Sequence, residues 1–342
     1  MAKVIADEIR AFGPISFSRF MQQALYHPER GYYSSGRATI GRGGDYFTNV
    51  SVGPIFGKLI AAQFVEIWAR LGRPADFTIT EQGAHDGQFA VDVLGAIRET
   101  SPRLFGVVRY QIVEPFPIWQ EKQRNVLREF TSKMSWATSV VELSPYVGIY
   151  FSNELLDAMP VNLRGKSIGL EADRFVFVET WQDIPPNESQ LRWIDEIAAK
   201  LQRGIAIAMD YGFPRSEFRE VVQVRAQHHL LERPFDQIGQ ADITVHINWT
   251  DIAERAERRG FRVAGFTDQH HFFTGIASQL SGDGLESFRD AKSTRELQTL
   301  LHPEMLGRAF QVLALSKSVD LAETLAGFRF ARDGRTALEL KP

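Results

Sequence analysis

The stretch Glu81-Gln-Gly-Ala-His-Asp-Gly87 decides how this chain reads. It follows the short β-branched run Phe77-Thr-Ile-Thr80. It precedes residues from about Gln88 to Arg98, in which Phe89, Val93, Leu94 and Ile97 recur at helical spacing. A strand that reverses through a tight turn into a helix needs glycine where φ is positive or a Cβ would clash. The helix N-terminus behind such a turn carries free N–H groups and partial positive charge. The stretch is therefore a strand–turn–helix unit with an end fit for a ligand. A purely structural turn is the plain alternative on the glycines alone.

The same unit recurs downstream. Tyr110-Gln-Ile-Val113 ends at Glu114-Pro115, with a helix expected over about Pro117–Phe130. Val147-Gly-Ile-Tyr-Phe151 ends at Ser152-Asn-Glu154, and Gly204-Ile-Ala-Ile-Ala-Met209 ends at Asp210-Tyr-Gly212. Repeated strand–turn–helix units predict a doubly wound parallel sheet, in which ligands sit beyond the carboxyl ends of the strands. Glu81 and Gly83, Glu114, and Asn153 with Glu154 should then converge on one crevice, with Asp210 further along that edge. Upstream the text is different. Ser16 is placed to cap a helix over Phe17–Leu25, Gly41-Arg-Gly-Gly-Asp-Tyr-Phe-Thr48 reads as a loop, and a long helical pattern runs from about Gly53 to Leu71. The expected division is a helical region over 1–72, packing over the ligand site, and an α/β domain over 73–342 with inserted substrate-side helices.

Composition removes several classes. The chain has 342 residues, 44% apolar and 24% charged, and a net charge of −3 from 39 basic and 42 acidic residues. That balance lacks the basic footprint of a nucleic-acid binder, so no nucleic acid is expected as partner. With no cysteine there is neither a disulfide nor a thiolate ligand or nucleophile. His246 and Asp242 lack a third ligand at typical spacing, and the pairs His228-His229 and His270-His271 would face opposite sides of a strand, so no metal is expected. No apolar run reaches the roughly 18–20 residues of a membrane span, and the first residues lack a signal-peptide core. The expected location is the cytoplasm.

The acids carry the chemistry. A nicotinamide enzyme typically places G-x-G-x-x-G at this turn to hold a pyrophosphate. Here only Gly83 and Gly87 remain, and Asp86 between them would repel a phosphate. S-adenosylmethionine (SAM) carries no phosphate, so Asp86 is less of an objection to it. Glu114, about thirty residues on, is placed to accept the hydroxyls of an adenosine ribose. In Ser152-Asn-Glu-Leu-Leu-Asp-Ala-Met-Pro160, Glu154 and Asp157 stand three apart, and a helical turn would put them on one face, able to hold a cation or take a proton from an amine. A capped helix start is the bland alternative. In Gly239-Gln-Ala-Asp-Ile-Thr-Val-His-Ile-Asn-Trp249, alternation predicts a short strand with Asp242, Thr244, His246 and Asn248 on one side.

Together these blocks resemble the MidA-like family of SAM-dependent methyltransferases, which includes a mitochondrial complex I assembly factor that methylates a protein arginine. The matching blocks are Gly44-Asp-Tyr-Phe-Thr48, Glu81-x-Gly83-x-x-x-Gly87, Val113-Glu114-Pro115, Ser152-Asn-Glu-Leu-Leu-Asp-Ala-Met-Pro-Val161, Asp210-Tyr-Gly212 and Gly239-x-Ala-Asp-Ile-Thr-x-His246. They fall in the family's order over roughly residues 15–280, and the Asn153-Glu-Leu-Leu-Asp-Ala-x-Pro160 and Ala241-Asp-Ile-Thr-x-His246 blocks are the specific ones. The resemblance implies a Rossmann-like class I methyltransferase, α/β, with a seven-stranded mostly parallel sheet, its last strand antiparallel, plus helical N-terminal and inserted additions. It implies SAM held by Asp45, Thr48, Glu81, Gly83, His85, Gly87, Glu114, Pro115 and Asn153. Asn153, Glu154 and Asp157 would form the catalytic region, with Asp210, Tyr211, Asp242, Thr244 and His246 toward the substrate. Where the family reads Glu-Leu-Gly-Pro-Gly-x-Gly, this chain has Gln82, Ala84 and His85. A histidine side chain there could fill space the cofactor needs, point away from it, or hydrogen-bond the cofactor's carboxylate.

The resulting expectation is an N-methyltransferase acting on arginine of a protein substrate, with a homodimer compatible with it. The first rival is a non-catalytic or degenerate methyltransferase-fold assembly factor that works through protein contacts, a reading His85 favours. The second is a nicotinamide-dependent dehydrogenase, disfavoured by Asp86 and the missing third glycine.

Overall fold

In the computed structural model the residues described are 1–37, 48–180, 186–227, 229–280, 290–302, 306–308 and 310–341. The alternation read from the sequence builds a parallel sheet of β1 (Phe77–Gln82), β2 (Val108–Val113), β3 (Met134–Ala137), β4 (Tyr146–Asn153) and β5 (Leu201–Phe213). Two further strands, β6 (Phe261–Asp268) and β7 (Phe310–Lys317), complete it, in the order β6-β7-β5-β4-β1-β2-β3. β7 lies between β5 and β6 and is antiparallel to both. The two-residue strand Ile247–Asn248 adds a parallel pairing at the end of β5.

The central strands are buried on both faces. Phe77 through Glu81 are all buried, which is why this region reads as a near-continuous apolar and β-branched run rather than a clean alternation. Helices α1 (Pro54–Arg70), α2 (Gln88–Thr100), α3 (Pro117–Val126) and α4 (Trp249–Arg258) flank it. Phe64 of α1 meets Phe151 of β4 at 5.6 Å, and Phe89 of α2 stacks on Phe151 at 4.7 Å and 13°. Each such buried ring contributes about 1.5–3 kcal/mol by the apolar area it removes from water.

These contacts move the expected boundary. The chain forms two compact units, one of Thr48–Leu155, Ile194–Phe218 and Ile247–Pro342, the other of Met1–Phe47, Leu156–Trp193 and Arg219–His246. The division therefore does not fall at residue 72. The apolar stripe of α1 packs with α2 and β4 and makes it a layer of the sheet unit.

The smaller unit holds two antiparallel sheets. In one, Lys166–Glu171 pairs with Ile15–Ser16 on one side and Arg174–Glu179 on the other, turning at Ala172 and Asp173 with φ of 45° and 63°. Such paired positive φ values suit a tight hairpin. In the other, Val222–Ala226 pairs with His229–Leu230 and Asp242–Val245. Ser16 caps the helix Phe17–Tyr26 by accepting the Arg19 N–H at 3.1 Å, as its position predicted. Among the described residues, no helix is long and apolar enough to cross a membrane.

Three local expectations are corrected. The helix after β2 stops at Val126, and Arg128–Lys133 tightens into a 3₁₀ turn leading into β3. No helical turn follows β4, because Glu154 takes a φ of 52° and leaves only bends and turns through Pro160. The strand expected across Asp242–Asn248 is two strands, broken at His246. Its first part pairs with Val222–Ala226 and its second with β5, so the four polar residues do not share one strand face. Asn248 instead caps α4, accepting the Asp251 N–H.

Candidate active site

Strands β2, β1 and β4 are neighbours and parallel, with Gln82 opposite Val113 on one side and Ser152 on the other. Glu114, the glycine turn and Asn153 with Glu154 therefore stand side by side at the carboxyl edge of the sheet. This is the placement a ligand crevice requires.

The turn keeps its glycine geometry. Gly83 and Gly87 have φ of 84° and 89°, and Gly87 closes the turn by donating its N–H to the Ala84 carbonyl at 2.8 Å. A Cβ on Gly83 would lie 3.3 Å from Leu155 Cδ1, and one on Gly87 would lie 3.2 Å from Leu127 Cδ1. His85 has a φ of 45°, a left-handed conformation that glycine adopts freely and an L-residue adopts at a cost. Its ring lies 4.4 Å from that of Trp119 on α3, and its Nδ1 lies 3.8 Å from Asp86 Oδ1. Gln82, the other polar replacement in the turn block, accepts a hydrogen bond from the Tyr150 hydroxyl.

Asp86 accepts the Gln88 N–H at 3.1 Å and so occupies the first turn of α2. Burial pushes its carboxyl up, but the His85 bond and charge and the Gln88 N–H outweigh this and hold it below the usual range. A phosphate at this helix end would meet a carboxylate already in place. The donor set thus disfavours a pyrophosphate and fits a phosphate-free nucleoside.

Two acids close the turn's flanks. Glu81 is buried and accepts the Tyr110 hydroxyl at 2.7 Å; burial pushes it up to about 8, with that bond opposing. Its bound oxygen faces β2. Glu114, also buried, is pushed up to about 7 by burial, against the Phe116 N–H and the Gln123 amide. Phe116 N–H reaches its Oε1 at 2.9 Å and Gln123 Nε2 its Oε2 at 3.4 Å. Pro115 is the residue between Glu114 and that donor.

Beyond β4, Glu154 is held in place from three directions. Its N–H donates to the Met209 carbonyl at 2.9 Å, and its Oε1 accepts Asn153 Nδ2 at 2.9 Å and the Asn49 N–H at 3.3 Å. Asn49 Nδ2 also donates to Asn153 Oδ1 at 2.9 Å. Thr48 caps the short helix Asn49–Val52 in a capping box with Ser51 and so fixes Asn49. Asn49 is fully buried, yet its Oδ1 finds no hydrogen-bond partner among the described residues. An orphaned buried acceptor marks a place for a ligand donor. With the glycine cradle, it fits a cofactor that carries an amino group and no phosphate. Asp45 lies outside the described residues.

Asp210 is fully buried at the end of β5, and its oxygens accept the N–H groups of Leu155 and Tyr211. It holds the loop that carries Glu154, a positioning duty invisible in the sequence. Tyr211 packs on Phe310 at 4.1 Å.

In the smaller unit, Asp242 is buried and its Oδ1 accepts the Tyr33 hydroxyl at 2.6 Å. Tyr33 stacks on Tyr26 at 5.6 Å, and Tyr26 donates to the Ala158 carbonyl at 3.0 Å. The Asp157 carbonyl accepts the Val245 N–H at 2.9 Å, which ties that acidic loop to the Asp242 strand. Thr244 is half-buried on the same strand. His246 lies beyond it, its imidazole held down by burial against a bond to the Arg219 backbone. Sequence reasoning missed Asn49, Gln123, Tyr26 and Tyr33. Only the Tyr32-Tyr33 pair gave any signal, as two aromatics in an otherwise polar turn. Among the described residues no cluster of three metal-ligating side chains occurs.

A glycine turn after the first parallel strand, an acid after the second, and an antiparallel last strand between the fifth and sixth define a Rossmann-like methyltransferase. The family model described as "Putative S-adenosyl-L-methionine-dependent methyltransferase" matches residues 59–190 and 184–267. The chain belongs to this MidA-like family; SAM is its cofactor and methyl transfer its reaction. It is 25% identical to the Drosophila melanogaster protein named protein arginine methyltransferase NDUFAF7 homolog, mitochondrial, over 93% of this chain and 85% of that one. With human protein arginine methyltransferase NDUFAF7 the identity is 23%, over 98% and 86%. A solved Burkholderia thailandensis protein, described as a "likely methyl transferase" bound to S-adenosyl-homocysteine, superposes with a TM-score of 0.85 at 24% identity, covering 98% of this chain and 96% of that one. This last likeness shows a shared fold.

Proposed function

We propose that the chain methylates a nitrogen of an arginine side chain in a protein substrate. The carrying observation is the Glu154 carboxylate. It is fixed by Asn49 and Asn153 just past β4, next to the strand whose end carries the glycine turn. The names of the fly and human relatives support the choice of acceptor. SAM supplies an electrophilic methyl group. Glu114 is assigned to the ribose hydroxyls, and the orphaned Asn49 Oδ1 is an acceptor for a cofactor N–H.

A guanidinium is a poor nucleophile, because it is delocalised and stays protonated. Glu154 orients it and takes its proton as the nitrogen attacks, and the positioning itself supplies much of the rate. Asn153 keeps the carboxylate's rotamer, and Asp210 keeps the backbone that bears it.

The test is Glu154→Gln, which keeps shape and removes the base. Turnover on an arginine peptide should fall about 10²- to 10⁴-fold while SAM affinity stays within about twofold. Equal losses in both would defeat this division of labour. Methyl label recovered on lysine instead of arginine would defeat the acceptor assignment.

A further inference from the structure

We propose that Gln123 on α3 is a positioning residue that locks the glycine turn and the ribose acid to each other. It makes the cofactor's 2′-hydroxyl count toward affinity. The inference rests on the reading that Glu114 accepts the ribose hydroxyls.

Gln123 is fully buried, and its amide is shared three ways. Nε2 donates to the His85 carbonyl at 2.8 Å and reaches Glu114 Oε2 at 3.4 Å, while Oε1 accepts the Trp136 indole N–H at 3.0 Å. A primary amide has two N–H donors, and here they serve the turn and the acid. These two elements follow different strands, β1 and β2, and both face the carboxyl edge.

The rest of α3 acts on the same pair. Gln120 Nε2 donates to the Glu114 carbonyl at 2.7 Å, and Trp119 carries the His85 ring. A Cβ on Gly87 would lie 3.3 Å from Gln123 Cγ, so the turn also rests on the Gln123 stem. Glu114 is therefore gripped at each oxygen by a different donor, the Phe116 N–H and the Gln123 amide, which fixes the plane of its carboxylate. A buried glutamine kept only for packing would not need its amide nitrogen placed between the turn and the acid. The preorganised acid loses no orientational freedom when a hydroxyl arrives.

The experiment compares titrations of the full chain with S-adenosylhomocysteine and with its 2′-deoxy analogue. Gln123→Met keeps the volume and removes both donors; it should weaken S-adenosylhomocysteine about tenfold and shrink the preference over the deoxy analogue toward one. Trp136→Phe breaks only the bond on the acceptor side of the amide and should leave affinity and preference within about twofold. If Gln123→Met does not fold, Gln123→Asn, which withdraws the amide by one methylene, carries the same comparison. Equal weakening of both ligands, or an equal effect of Trp136→Phe, overturns the proposal. Glu114→Gln separates it from the reading beneath it. If Glu114→Gln leaves the preference intact, the ribose reading falls and the proposal with it. If Glu114→Gln erases the preference and Gln123→Met does not, the Gln123 proposal alone falls.

Discussion

The two compact units reach their acidic groups by opposite routes. In the sheet unit Glu81, Glu114 and Glu154 each sit within a residue of a strand end, and the neighbouring strands are sequence-coded by their own apolar runs. In the smaller unit, Tyr33, Ala158 and Asp242 come from three separated chain segments and are joined by single hydrogen bonds. The first kind of site is placed by the order of parallel strands. The second depends on contacts between segments far apart in the chain. The turn keeps a left-handed conformation at position 85 although histidine stands there.

The largest expected effect tests the topological half. Phe151 packs against Phe64 and Phe89, joining β4 to two helices. Phe151→Ala should cost about 3–5 kcal/mol, read by guanidinium unfolding. A loss below about 1 kcal/mol would mean that the sheet unit is not held together by this layer.

Next comes the tethered half. Tyr33→Phe removes the hydroxyl that donates to the buried Asp242, a hydrogen bond worth about 0.5–1.5 kcal/mol. It should lower stability in guanidinium unfolding by about that much and leave the SAM dissociation constant within about twofold. A loss below about 0.2 kcal/mol would mean that this bond is not one of the tethers of the smaller unit.

What was legible follows the same line. Strands β1, β2, β4 and β5 and the Ser16 cap were readable, because each is a local pattern with its own start or stop signal. Strand β3 was not. Met134–Ala137 is short and half-exposed at the sheet edge, so it carries no apolar run. Asp210 was readable as a strand-end acid but not as the clamp on Leu155, since that bond spans 55 residues. The Asp242–Asn248 alternation was real but was divided between two sheets. No local pattern reports that a chain leaves one partner strand for another at His246. Gln123 looked like one more polar residue of an amphipathic helix, its burial set by a turn that forms elsewhere in the chain.

The smallest effect is a pH dependence, and it returns to the topological half. Burial raises Glu114 to about 7 in the free protein, so near neutrality it is partly protonated. Ribose hydroxyls donate best to the ionised carboxylate, and binding must then pull its pKa down. SAM affinity should be flat well above pH 7 and should weaken by at most about tenfold per unit as pH falls through that value. Folding stability runs the other way. An acid whose pKa is raised on folding contributes stability at low pH and loses it as pH rises through the folded value. Glu114→Gln should therefore stabilise the cofactor-free protein at pH 8 relative to the parent, yet flatten the pH profile of SAM binding. Glu81, raised to about 8, titrates in an overlapping window but bonds to Tyr110, and it remains in both proteins, so the difference between them isolates Glu114. If the parent and Glu114→Gln show the same slope, the acid after β2 is a structural group. The cofactor would then be held at that edge by the turn and the Asn49–Glu154 cluster alone.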